Sequence, residues 1–97
     1  TLDELSIPAR DLLDLIDKML SVKLEEIVKR EGRENGTFKR DLTFTRRELR
    51  EFTGWTNNRI HTHIRELLNL EYLLLENGRS NSLQTYKLVY DGQGKDG

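Results

Sequence analysis

Two helices must start within eleven residues of each other in this chain. Thr45-Arg46-Arg47-Glu48 is a capping box: the threonine hydroxyl can accept from the N–H of Glu48, whose carboxylate reaches back to the N–H of Thr45. Phe44 before that cap and Leu49 four residues after it have the spacing of a hydrophobic staple. The device recurs at Thr56, with Trp55 before the cap and Ile60 four residues later. Between the two lies Gly54, a residue that adopts at no steric cost the positive φ of a helix end. A helix over residues 46–53 is therefore only about two turns long. A second, over residues 56–69, has to follow through a tight turn.

The second helix is strongly two-sided. Ile60, Ile64, Leu67 and Leu68 form one apolar face. At about 100° per residue, Asn58, Thr62, Arg65 and Asn69 fall opposite, with Arg59 and Glu66 on a flank. Upstream, Ser6-Ile7-Pro8 is a helix start, since a proline in the first turn removes only an N–H that would be unpaired there. Leu12, Ile16, Met19, Leu20 and Ile27 then recur at helical spacing over residues 8–30, with Leu13 and Leu24 at the margin. Lys23 interrupts the stripe and leaves open a kink or break near Ser21. Residues 32–41 read as a polar loop, and Leu42-Thr43-Phe44 as a short extended piece. Residues 72–90 read as a hairpin around the turn cluster Asn77-Gly78-Arg79-Ser80-Asn81-Ser82, with Tyr86 and Leu88 inward.

Length and composition bound what this architecture can be. The 97 residues suffice for one domain, residues 1–90, and the Gly/Asp-rich stretch 91–97 reads as a flexible tail or linker. Together with Thr1 in place of Met, that tail predicts a segment of a longer protein. With no cysteine, disulfides and thiol-ligated zinc are excluded. Nothing resembles a signal peptide or a membrane span, so no membrane partner and a cytoplasmic location are expected. The net charge of −1 is unevenly spread. Residues 1–26 carry three basic and seven acidic side chains, residues 27–65 ten and five, and residues 66–97 three and five. Positive charge is concentrated in the middle of the chain, where the two capped helices fall.

Two helices joined by a short glycine-containing turn make a helix-turn-helix, and a hairpin directly after it is a wing. Residues 42–90 resemble a winged-helix domain, with residues 46–53 as supporting helix, 56–69 as recognition helix and 72–90 as wing. The resemblance implies an α+β fold of three helices with a short first strand and a C-terminal β-hairpin. Phe44-Thr45-Arg46-Arg47-Glu48-Leu49, Thr53-Gly54-Trp55-Thr56, His63-Ile64 and Leu70-Glu71-Tyr72-Leu73 are also similar to a winged-helix segment of phage and mobile-element primase-like proteins. That narrower likeness implies an accessory domain of a larger replication protein, without the primase's catalytic carboxylates or zinc ligands.

A recognition helix presents its N-terminal residues to base edges in the major groove of double-stranded DNA. Asn57, Asn58, Arg59, Thr62 and Arg65 carry suitable donors and acceptors on the non-core side, and are the expected base-facing set. Arg46 and Arg47 open the supporting helix, where a cation opposes the helix dipole unless an anion is bound, and Arg79 sits at the wing tip. These three are expected to face the phosphate backbone. Trp55 is assigned to the staple and core rather than to stacking.

Other chemistries lack their residues. His61 and His63 stand about 200° apart on a helix and cannot chelate one metal as an i, i+4 pair would. The serines lie in no nucleophile elbow and no glycine-rich loop cradles a phosphate, so neither catalysis, metal nor cofactor is expected. Asp11, Asp14 and Asp17 read as the solvated face of the first helix. The alternative function is protein docking, to other domains of the parent protein or to a dimer mate, which the low net charge and Glu66 beside the recognition face favour.

Overall fold

Helix α1 spans Ile7–Glu31 without a break in the computed structural model, which describes residues 4–32, 38–77 and 84–89. Ser6 caps it, its hydroxyl accepting from the Ala9 N–H at 3.2 Å. Gly32, at φ 79°, closes it by donating its N–H to the Val28 carbonyl at 2.8 Å. The helix is not broken at Ser21, and the polar interruption at Lys23 has another cause. The Lys23 ammonium donates to the Thr43 carbonyl at 2.7 Å and to a Glu48 carboxylate oxygen at 3.1 Å. It clamps α1 onto the segment that carries Thr43 and Glu48. Leu13, expected at the margin, is buried, whereas Ile27 is only half-buried: beyond Leu20 no residue of α1 reaches the core.

A single 3-10 turn, Lys39–Asp41, leads to strand β1, Thr43–Phe44. Its Lys39 ammonium meets the Asp17 carboxylate of α1 at 2.7 Å. Asp17 is therefore half-buried and paired, not solvated like Asp11 and Asp14. Helices α2, Arg46–Thr53, and α3, Asn57–Asn69, come next, followed by strands β2, Leu73–Asn77, and β3, Thr85–Leu88. The three strands form an antiparallel sheet in the order β1-β3-β2, with Thr43 opposite Lys87 and Leu73 opposite Leu88. The fold is thus α+β, with three helices and one small sheet. The expected turn cluster between β2 and β3, including Arg79, lies outside the described residues, apart from the backbone of Asn77.

One apolar cluster draws on all three helices and all three strands. Leu12, Ile16 and Leu20 of α1, Leu49 of α2, and Ile60, Ile64 and Leu67 of α3 are fully buried. Phe44, Leu73, Tyr86 and Leu88 close it from the sheet, with the Phe44 and Tyr86 rings 5.7 Å apart. Both members of the first staple, Phe44 and Leu49, lie in this cluster, and Tyr86 and Leu88 point inward as the strand alternation predicts. At the end of α3 the Tyr72 N–H bonds to the Leu67 carbonyl at 2.9 Å and the Glu71 N–H to the Leu68 carbonyl at 3.0 Å. This is a Schellman ending, with Glu71 at φ 66° in the position that glycine usually takes.

Candidate nucleic-acid interface

The turn between α2 and α3 is built by the residues that predict it. Thr45 accepts from the Glu48 N–H at 3.1 Å and Glu48 accepts from the Thr45 N–H at 2.9 Å, so the capping box is complete. Gly54 ends α2 at φ 77° with open space where a Cβ would sit, so backbone conformation alone demands glycine there. The Thr53 hydroxyl donates to the Leu49 carbonyl at 2.8 Å and accepts from the Trp55 N–H at 3.1 Å, which fixes the path into α3. Thr56 then caps α3 by accepting from the Arg59 N–H at 3.2 Å.

This turn rigidly sets the outer face of α3. Ile60, Ile64 and Leu67 are buried on the inner side, and Asn57, Asn58, Arg59, Thr62 and Arg65 are all exposed. The five residues expected to face bases are therefore each accessible to a ligand. Beside it runs an open depression of about 540 Å³ lined by Glu4, His61, Thr62, Arg65, Glu66, Asn69 and Leu70.

The flanking arginines behave differently from one another. Arg46 is half-buried and its guanidinium donates to Nδ1 of His61 at 2.9 Å, joining the start of α2 to α3. Since arginine can only donate, His61 must hold its proton on Nε2 for this bond to exist. Arg47 is exposed and reaches Glu51 at 3.4 Å, a contact worth little in water. Arg59 is stacked: its guanidinium carbon lies 4.1 Å from the centroid of the Trp55 ring. That corrects the reading of Trp55 as core alone. The indole is half-buried against the core and also carries a cation on its face. Among the described residues, the side chains of Arg46, Arg59 and Arg65 have no carboxylate partner.

Glu66, which sequence position puts beside the recognition face, lines the same depression as Thr62 and Arg65 and is anchored from the other side. It is half-buried, turned toward the start of α1, where it accepts from the Ser6 N–H at 2.7 Å and the Ser6 hydroxyl at 2.8 Å. The Ser6 N–H is the main cause that holds its carboxyl below the usual carboxylate range. Burial opposes this, and the Ser6 hydroxyl and His63 assist. His63 lies 3.4 Å from Glu66 and edge-on to Trp55, whereas His61 turns to Arg46.

Five contacts escape sequence reasoning: Lys23 with Thr43 and with Glu48, Lys39 with Asp17, Glu66 with Ser6, and Arg46 with His61. Each joins residues fifteen or more positions apart, so no local spacing reports it. The stack of Arg59 on Trp55 is different, being an i, i+4 pair visible in the sequence. No family model, curated protein or solved structure matches the chain. No described helix is long and apolar enough to cross a membrane.

Proposed function

We propose that this chain is a winged helix-turn-helix domain that binds double-stranded DNA through the outer face of α3. Support for the fold comes from the element order, two helices across a glycine turn followed by paired strands, with β3 central in the sheet. One observation carries the function. The exposed face of α3 gathers amide, hydroxyl and guanidinium groups, and its arginines are not spent on carboxylates of the described residues. Arg46 and Arg47 at the start of α2 flank it and supply backbone contacts. The resemblance to primase-like proteins makes it an accessory domain of a larger replication or mobile-element protein. A mixed-sequence duplex titrated at low and moderate salt tests the reading. Three phosphate contacts, from Arg46, Arg47 and Arg79, give a log–log salt slope of about −3. Absence of binding at tens of micromolar protein refutes it.

A second reading, docking to another domain or a dimer mate, draws on a different surface. Met19, Val22, Lys23, Glu26, Glu48, Glu51 and Phe52 line an open depression of about 360 Å³ between α1 and α2. Val22 and Phe52 there are 45% and 43% exposed. A protein that ignores DNA but self-associates in sedimentation would favour that reading.

A further inference from the structure

The cation held over Trp55 points to more than general affinity. Resting on the reading of this chain as a DNA binder, we propose that Arg59 recognises a guanine in the major groove and that Trp55 is its positioning residue. Arg59 lies in the first turn of α3, the part of a groove-bound helix that meets base edges. Its guanidinium carbon lies over the indole ring, 4.1 Å from the centroid. A contact through the face of that planar group leaves its hydrogen bonds, which lie in the plane, available to a ligand. No described residue accepts a hydrogen bond or ion pair from this side chain.

The platform is itself held in place. Trp55 packs against the core, its backbone N–H is bonded to the Thr53 hydroxyl, and its ring is edge-on to His63 at a centroid distance of 6.3 Å. An arginine free in solution loses side-chain freedom on binding, a cost equivalent to about two- to tenfold in affinity. Arg59 has met part of that cost before DNA arrives. Guanine is the base that matches a fork of donors, since O6 and N7 both accept. Adenine sets a donor beside its N7, and the pyrimidines offer no such pair.

Selection of preferred duplexes from a randomised pool, followed by anisotropy titrations on the preferred site and its single-base variants, tests the assignment. The wild-type protein should prefer guanine at one position. Arg59→Ala should weaken the guanine site by about 5- to 150-fold and leave the variants at that position little changed. Arg59→Lys should retain the salt slope yet weaken the guanine preference, because an ammonium can still donate to O6 or N7 but lacks the fixed fork. Trp55→Leu should lose about two- to tenfold on the guanine site alone, and Trp55→Phe less. The double variant Trp55→Leu with Arg59→Ala should be no weaker than Arg59→Ala. Thermal melts of each variant separate these effects from unfolding, and Trp55→Phe keeps a ring in place if Trp55→Leu does not fold.

Arg59→Ala acting equally on all sequences, with Arg59→Lys restoring binding, would make the contact a phosphate contact and overturn the guanine assignment. Additive effects of the two substitutions, or a Trp55 effect that is uniform across sequences, would overturn the positioning role. A wild-type protein that binds no duplex at all removes the DNA reading, and this inference with it. Binding without any guanine preference removes the inference alone.

Discussion

Replacing Lys23 by methionine tests whether a polar interruption of the α1 stripe is a clamp or a tolerated blemish. Two interactions are lost, and their worth differs. The ion pair with Glu48 spans 3.1 Å between side chains that are 33% and 44% exposed, which places it in the range of about 0.2–1 kcal/mol for a solvent-screened pair. The bond to the Thr43 carbonyl is shorter, at 2.7 Å, and joins a full charge to a backbone acceptor on β1. Such bonds contribute about 1.5–3 kcal/mol when dry, and partial exposure reduces this one to about 1 kcal/mol because water can replace the ammonium. Methionine keeps the unbranched stem, so little packing is lost. The sum is a destabilisation of about 1–2 kcal/mol, or roughly 4–16 °C in Tm for a domain of this size. Urea unfolding followed by circular dichroism measures it. Raising the salt to about 1 M should erase only the ion-pair share, since the Debye length falls to about 3 Å. A Lys23→Met protein as stable as the wild type, or more so, would mean that the apolar stripe prefers to be continuous and that the clamp does nothing.

Three further outcomes follow from the same structure. Glu71→Gly should stabilise the fold by about 0.5–1 kcal/mol, because glycine removes the left-handed strain at φ 66° while Glu71→Ala does not, and chemical denaturation distinguishes the two. Glu66 stabilises the fold through a lowered carboxyl pKa, so its contribution is complete above its ordinary value of 4.5 and is lost as the pH falls through the lower folded value. The stabilities of wild type and Glu66→Gln should therefore converge with acidification below that point, and a gap that stays constant down to the acid end of the range would refute the linkage. On a selected DNA site, Arg46→Ala or Arg47→Ala should weaken all sequences alike and reduce the salt slope by about 1, whereas Asn58→Ala, Thr62→Ala or Arg65→Ala should cost about 1–3 kcal/mol on that site only.

Local chemistry carries a long way in this chain. The caps at Ser6, Thr45 and Thr56 depend only on side chains three residues from the N–H they satisfy, so reading residue types in order locates all three helix starts. The inward faces of α3 and β3 follow from periods of 3.6 and 2, and Ile60, Ile64, Tyr86 and Leu88 are buried accordingly. The end of α3 was less legible. Its left-handed residue is Glu71, which carries no sequence signal for that conformation, and only the paired bonds to Leu67 and Leu68 reveal it. The continuity of α1 was hidden in the same way, since a lysine in an apolar stripe looks like a break until its acceptor, twenty residues away, is in view.

The contacts that sequence could not supply bear directly on function, because they account for charges that would otherwise compete for the same role. Lys23 with Glu48, Lys39 with Asp17, and Glu66 with Ser6 each tie together two segments distant in sequence, and the first two also pair a cation with a carboxylate. Lys18 and Arg47 are further engaged within their own helices by Asp14 and Glu51. The cations of the α2–α3 unit are divided by the same accounting. Arg46 is tethered to an imidazole and Arg59 lies over an indole, two anchors that hold a guanidinium without a carboxylate to cancel its charge. A domain that used these arginines only for stability would pair them with carboxylates, as it does Lys23 and Lys39. Aromatic anchors instead leave the full positive charge directed at whatever approaches α3, and a polyanion gains most from that arrangement.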